Sequence, residues 1–188
     1  YLGAERNVGP DDPQTGSPPR SVTAVLEPTW FNTDYIYNSS GGWFRTRPGD
    51  KYFVGDFDGD GKDDIYVVNF TNWSKPWLIM LKSFGDHFEH VNAYKDILPG
   101  WDEMRSGDDF YVCDFNNDGK DDLCIYNGSN WRIPYFGMLR SNGTSLTMVR
   151  RYDQFLPGWE MGKNEKFHVG DFNGDGRGDF VAHDKNHW

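Results

Sequence analysis

The stretch Asp56-Phe57-Asp58-Gly59-Asp60-Gly61-Lys62-Asp63-Asp64 decides the fold, because the chain uses it three times. It recurs as DFNNDGKDD at 114–122 and as DFNGDGRGD at 171–179, at offsets of 58 and 57 residues. We call these segments acidic loops 1, 2 and 3. Self-similarity at a fixed step is the signature of a tandem array of structural units.

Positions outside the loops keep the same step. The pairs Gly42-Trp43, Gly100-Trp101 and Gly158-Trp159 are spaced in this way, and so are Trp73, Trp131 and Trp188. The register therefore extends over whole units of about 58 residues.

Each unit reads as four short strands. Apolar residues alternate with other residues before and after each acidic loop, which predicts two half-buried strands joined by the loop. The residues that carry this alternation are Tyr52/Val54, Phe110/Val112 and Phe167/Val169 before the loops, and Ile65/Val67, Leu123/Ile125 and Phe180/Ala182 after them. Third strands are predicted at Trp77–Lys82 and Tyr135–Arg140, and fourth strands at His87–Tyr94 and Leu146–Tyr152.

Tandem four-stranded units of this length predict an all-β fold, a β-propeller of about three blades. Residues 22–188 would hold the array, with further strands at Val22–Leu26 and Asp34–Tyr37, and the Pro- and Gly-rich residues 1–21 would form a linker or N-terminal arm. Closed propellers contain about 4–8 blades, so we expect another chain or further sequence to complete this one.

Composition narrows the class of protein. The 188 residues are 37% hydrophobic and 17% aromatic, which favours a folded chain, and no apolar run is long enough to span a membrane. The net charge of −10 argues against nucleic acid or an anionic membrane as partner.

The acidic loops have the donors that a hard divalent cation needs. Alternating side-chain oxygens in a glycine-rich turn can point at one ion, and without an ion these carboxylates would repel one another. We predict about three Ca²⁺ ions per chain, each held by four side chains and one backbone carbonyl. The ligands would be Asp56, Asp58, Asp60, Asp64 and the Lys62 carbonyl; Asp114, Asn116, Asp118, Asp122 and the Lys120 carbonyl; and Asp171, Asn173, Asp175, Asp179 and the Arg177 carbonyl.

Two alternatives to a Ca²⁺-binding hairpin can be considered for these loops. The loops could be acidic hairpin turns held by Asx hydrogen bonds alone. An EF-hand is disfavoured because its twelfth position must be a bidentate Glu, and here that position is Val67, Ile125 or Ala182. Loop 1 has the most carboxylates and is expected to bind its ion most tightly.

The motif D-F-D-G-D-G-K-D-D between two strands resembles the FG-GAP/VCBS repeat of integrin α-subunit propellers and of many secreted microbial proteins, and some fungal lectins share that propeller. The resemblance covers about residues 22–188. It implies Ca²⁺ in the hairpin between the first two strands of each blade, held by the residues named above. It also implies a secreted or cell-surface location.

Tryptophans recur on the side of each unit opposite the acidic loops, if the strands form a simple meander. They could be wedges packed between blades, or exposed platforms on which sugar rings stack, with polar side chains beside them. The candidate glycan-binding residues are Trp73, Trp101, Trp131, Trp159, Trp188, Arg105, Asn130 and Arg132.

Two further features fit a secreted protein. Cys113 and Cys124 flank loop 2 on neighbouring strands, and they could form a disulfide or stay as buried free thiols. Sequons for N-glycosylation occur at Asn38, Asn69, Asn72, Asn127 and Asn142, although these residue types are also common in turns.

The residues show no nucleophile elbow, phosphate loop or Cys-His pair, so we do not expect an enzyme. The sequence favours an extracellular binding or adhesion module whose ligand is a glycan or glycoprotein. The alternatives are a structural subunit of a surface or filamentous assembly, and an accessory module of a secreted polysaccharide-acting enzyme.

Overall fold

The computed structural model describes residues 35–37, 43–45, 47–71, 75–128, 134–152, 154–156, 159–160 and 165–183. Over these residues the chain is all-β, as the repeat predicts. The described segments contain no helix of the length and apolarity that a membrane crossing requires.

Two four-stranded antiparallel sheets supply most of the buried core of the described residues. The first has the order β3-β4-β5-β6, and the second has the order β10-β9-β8-β7, so each is a meander of sequential strands. The strands of the first sheet are β3 Asp50–Gly55, β4 Asp64–Asn69, β5 Trp77–Ser83 and β6 Phe88–Lys95, and those of the second are β7 Asp108–Cys113, β8 Asp122–Asn127, β9 Tyr135–Ser141 and β10 Leu146–Tyr152.

Three strand pairs complete the described fold. They are β1 Tyr35–Tyr37 with β2 Trp43–Arg45, β11 Gln154–Leu156 with β12 Trp159–Glu160, and β13 Lys166–Gly170 with β14 Asp179–His183. The strands predicted around all three acidic loops, and the third and fourth strands of the first two units, are therefore confirmed. Residues 1–21 and the strand expected at Val22–Leu26 lie outside the described residues.

Each acidic loop closes a β-hairpin. The last ladder pair before the loop is Gly55 with Asp64 in unit 1, Cys113 with Asp122 in unit 2, and Gly170 with Asp179 in unit 3. The step of the sequence repeat is thus the step of the structural unit.

Apolar side chains fill the space between neighbouring units. Strand β3 contacts β7, and β7 contacts β13, so the first strands of the three units are neighbours. Phe53 and Phe110 lie 5.2 Å apart between ring centres across the first contact, and Tyr126 and Phe167 lie 4.9 Å apart across the second. Burial of such aromatic pairs stabilises the array beyond the area they remove from water.

Strand β3 differs from the expected half-buried pattern. Tyr52 and Val54, predicted to be its buried residues, are 41% and 54% exposed. In unit 2 the corresponding Phe110 is buried and Val112 is half-buried because unit 1 covers them, whereas in the described part of the chain no unit covers the same side of β3.

Candidate metal centres

Loop 1 is a turn built around the Asp56 carboxylate. Asp56 Oδ1 accepts hydrogen bonds from the backbone N–H groups of Gly59 and Asp60, at 2.7 and 3.1 Å, and its Oδ2 accepts from Gly61 at 2.9 Å. Gly59 and Gly61 have φ of 78° and 83°, a left-handed conformation that favours glycine. This winding points several side chains into one small volume.

Three carboxylates of loop 1 converge. One oxygen each from Asp56, Asp58 and Asp64 lies within 4.8 Å of the other two, an arrangement that could hold a metal ion. Asp64 is fully buried; its Oδ1 accepts the Ser83 N–H at 2.7 Å, while its Oδ2 has no hydrogen-bond partner. A buried, unpartnered carboxylate oxygen is costly unless a cation or proton neutralises it.

The pKa of Asp64 reflects that cost. Burial raises the pKa of this carboxyl to about 6, and the nearby charges of Asp58 and Asp60 add to the rise. A donor set made only of oxygens suits Ca²⁺ or Mg²⁺ rather than a softer metal. The residues present therefore fit the predicted ion.

The Asp60 carboxylate is not one of the three carboxylates that converge. Its carboxylate makes an ion pair with Lys62 at 2.8 Å, and that hydrogen bond lowers the pKa of Asp60. The structure thus brings together three of the four predicted side-chain ligands of loop 1.

Lys82 is a residue of this site that sequence reasoning missed. Its ammonium group hydrogen-bonds the Asp58 carboxylate and lies 3.9 Å from Asp60 Oδ2. The Asp58 side chain is only 6% exposed, so the pair is largely removed from water, and it raises the pKa of Lys82. The only feature of the sequence that could have indicated this contact is the position of Lys82 at the end of the predicted third strand.

Loop 2 has the same construction with one amide in place of a carboxylate. Asp114 accepts the N–H groups of Asp118 and Gly119, at 3.2 and 2.9 Å. Asp122 is buried, accepts the Ser141 N–H at 2.7 Å, and accepts the Asn116 side-chain N–H at 3.0 Å. Burial, with the charges of Asp118 and Asp114, raises the pKa of Asp122 to about 7. Rotation of the Asn116 amide by half a turn would present its oxygen instead.

Loop 3 keeps the turn but not the burial. Asp171 accepts the N–H groups of Gly174, Asp175 and Gly176, as Asp56 does in loop 1. The Asn173 amide points at Asp175 and Asp179, and Asp179 is half-buried. In loops 1 and 2 a third-strand serine N–H covers the equivalent aspartate, and no described strand does so in unit 3.

The loops also contact one another. The backbone carbonyl of Asp56 accepts the Asp121 N–H at 2.8 Å, and that of Asp114 accepts the Gly178 N–H at 2.7 Å. The Ser141 hydroxyl donates to the Phe57 carbonyl at 2.6 Å. Consecutive loops therefore form a row, and an ion in one loop would stiffen the backbone on which the next loop rests.

Trp101 is a packing residue and not an exposed platform. It is 1% exposed, its ring meets Tyr135 edge-on at 4.8 Å, and a side chain at Gly137 would collide with it. The prediction of a sugar-stacking role is wrong at this position because neither ring face is open. Arg105, one of the predicted polar companions of the tryptophans, contacts Glu103 at 3.4 Å.

The other predicted glycan-binding residues are not tested. Trp159 lies in β12, of which only the backbone is described. Trp73, Asn130, Trp131, Arg132 and Trp188 fall outside the described residues.

Burial excludes two of the predicted glycosylation sites. Asn69 and Asn127 are fully buried, and the Asn69 amide donates to Asp50, so neither can carry a glycan in the folded protein. Asn142 is exposed in the turn between β9 and β10, where its side chain bonds Ser145. Asn38 and Asn72 lie outside the described residues.

Cys113 and Cys124 are buried free thiols, which is the second of the two expected states. They occupy diagonal positions of the hairpin, since Cys113 pairs with Asp122 and Cys124 pairs with Tyr111. The two thiols are close enough to interact: burial, and then the hydrogen bond with Cys113, raise the pKa of Cys124.

No protein-family model matches the chain, and no curated protein matches it in sequence.

Proposed function

We propose that this chain is a Ca²⁺-stabilised β-propeller module that binds a ligand outside the cell. The observation that carries the proposal is the convergence of Asp56, Asp58 and Asp64, with a fully buried Asp64 oxygen that has no partner. The same turn occurs three times, and the sequence motif resembles the FG-GAP/VCBS repeat, in which this hairpin holds Ca²⁺.

The propeller is supported by the order of the sheets. Each complete sheet is a four-stranded meander, and the first strands of successive units are neighbours. In a propeller the first strand of each blade lies nearest the axis, so a row of first strands is the expected arrangement.

The ion has a structural role in this proposal. No ion-bound reaction is required, since the oxygen ligands come from loops whose backbones also join one unit to the next. Such a scaffold leaves the turns at the other end of the sheets free to vary, and we assign ligand binding to that end, with a glycan as the favoured ligand.

Two measurements test these two parts separately. Titration of the chelated protein with Tb³⁺, a luminescent Ca²⁺ substitute excited through nearby Tyr or Trp, should show saturable binding that excess Ca²⁺ reverses. The Asp56→Asn/Asp64→Asn variant should lose one site, and an unchanged titration would refute the metal centre. Screening on a glycan array tests the ligand, and failure to bind any glycan would favour the structural-subunit alternative.

A further inference from the structure

The two ends of the described array expose positions that are buried or half-buried where units meet. On the leading side, Tyr52 and Val54 are 41% and 54% exposed, whereas Phe110, the counterpart of Tyr52, is buried and Val112, the counterpart of Val54, is half-buried. On the trailing side, Phe172 is 59% and Val181 46% exposed, whereas their counterparts Phe57 and Tyr66 are fully buried.

The trailing side shows a gradient. Phe57 is fully buried and packs edge-on against Tyr66 at 4.6 Å, and the four-stranded unit 2 reaches it through Ser141. Phe115, next to the two described strands β13 and β14, is half-buried. Phe172 is the most exposed of the three. Burial at this position thus follows the number of described strands in the next unit.

The junctions inside the chain show which surface fits on the trailing side. At the first junction a glycine faces an aspartate: a Cβ on Gly55 would lie 2.6 Å from Asp121 Oδ2 and 2.7 Å from a Val112 methyl carbon. The space left by Gly55 therefore receives the Asp121 and Val112 side chains, and the Asp121 carboxylate accepts the Asp56 N–H at 2.9 Å.

At the second junction the sizes are exchanged. The position of Gly55 is taken by Cys113, and the position of Asp121 is taken by Gly178. A Cβ on Gly178 would lie 2.5 Å from the Cys113 Cβ. At each junction, therefore, a glycine of one unit faces a larger side chain of the other unit. At the first junction Gly55 faces Asp121, and at the second junction Gly178 faces Cys113.

Unit 3 offers a glycine again, and unit 1 offers the matching aspartate. Gly170 occupies the position of Gly55, while Asp63 and Val54 occupy those of Asp121 and Val112. The atoms nearest to a Cβ built on Gly170 belong to the Phe172 ring, the closest at 3.3 Å, and Asp63 is exposed. Among the described residues, the exposed trailing side of unit 3 therefore complements the exposed leading side of unit 1, in the combination used at the first junction.

We propose that a second copy of this chain docks head to tail, with its Val54 and Asp63 seated on Gly170 and Phe172. Two copies joined by two such contacts would assemble about six units, within the range of closed propellers. The contact is heterologous, since the two partners contribute different surfaces. The inference rests on the proposed repeat architecture and does not require the ion.

Sedimentation velocity over a range of concentrations tests the proposal with the full chain. The wild type should form a two-copy species, and Gly170→Ala should weaken association by about tenfold or more because its Cβ would meet the incoming Asp63 and Val54. Gly170 has no left-handed φ, and the atoms nearest to the new Cβ would belong to the Phe172 ring at 3.3 Å or more, so this variant should keep its fold, which circular dichroism checks. Val149→Asp, at an exposed position of the outer strand β10, is the control and should associate like the wild type.

A compensating double variant gives a more specific test of the same contact. Gly170→Ala/Asp63→Gly recreates the small-for-large exchange of the second junction and should regain association. Mixing Gly170→Ala with Val54→Asp, each without one of the two surfaces, should give a dimer containing one copy of each.

A monomer at every concentration, or association that Gly170→Ala leaves unchanged, would overturn the proposal. Each sample is also titrated with Tb³⁺. Association without metal binding would refute the proposed metal centre alone, and metal binding without association would refute this contact alone.

Discussion

Asp121 and Asp56 lie 65 residues apart and exchange two hydrogen bonds. The Asp121 N–H donates to the Asp56 carbonyl at 2.8 Å, and the Asp56 N–H donates to the Asp121 carboxylate at 2.9 Å. Asp56 also supplies a carboxylate to the proposed metal centre, so the same residue serves the ion and the contact between units. Ion binding and packing of neighbouring units should therefore be coupled.

The second junction predicts a size conflict. Gly178→Asp would place a Cβ 2.5 Å from that of Cys113, and overpacking of this kind costs about 1–3 kcal/mol of unfolding free energy. Cys113→Gly/Gly178→Asp copies the first junction and should recover part of the loss. Urea unfolding measures both variants; equal stability of Gly178→Asp and wild type would contradict the assigned contact.

Asp64→Asn should have different effects on stability with and without Ca²⁺. In chelator the neutral amide removes a buried, unpartnered charge, so the melting temperature should hold or rise. In Ca²⁺ the variant should lose most of the gain that binding gives the wild type, which is about 2.7 kcal/mol at one hundred times Kd. Asp102→Asn makes the same charge change at an exposed side chain and should behave like the wild type in both buffers.

The pH dependence of the melting temperature should have opposite signs in chelator and in Ca²⁺. Burial raises the pKa values of Asp64 to about 6 and of Asp108 and Asp122 to about 7. Without metal, the folded state binds more protons than the unfolded state between about pH 4 and pH 7, so stability falls as pH rises through this window.

With Ca²⁺ bound, the ligands Asp64 and Asp122 are ionised in the folded state, and acid expels the ion. Melting temperature should then fall as pH decreases from 7.5 to 5, whereas in chelator it should rise. Differential scanning calorimetry in both buffers checks this, and parallel pH profiles would count against metal binding at these residues.

Lys82 should compete with the ion at loop 1. Its ammonium group already pairs with Asp58, so Ca²⁺ must displace it. Lys82→Met is expected to strengthen Tb³⁺ binding at loop 1 and to destabilise the chelated protein, which loses a counter-charge for its carboxylates. Arg140 is exposed at the equivalent position of unit 2, and Arg140→Met is the matched control.

If Lys82→Met binds Tb³⁺ no more tightly than the control, the competition does not exist. The outcome also tests the expectation that loop 1 binds its ion most tightly. That expectation rests on the number of carboxylates in the loop, and a competing Lys82 would lower the affinity of loop 1.

The repeat in the sequence was sufficient to predict the hairpins, since strand alternation and turn glycines are local signals. Local signals could not show that Ser83 and Ser141 cover the last aspartate of each loop, or that Lys82 reaches Asp58, because these contacts join residues of different strands. Burial of Trp101, Asn69 and Asn127 depends on neighbouring strands in the same way.

The count of bound ions tests the central claim most directly. Native mass spectrometry of the full chain, exchanged into buffer with millimolar free Ca²⁺, should show one ion for each acidic loop and one fewer in Asp56→Asn/Asp64→Asn. A chain that carries no ion under these conditions would contradict the account.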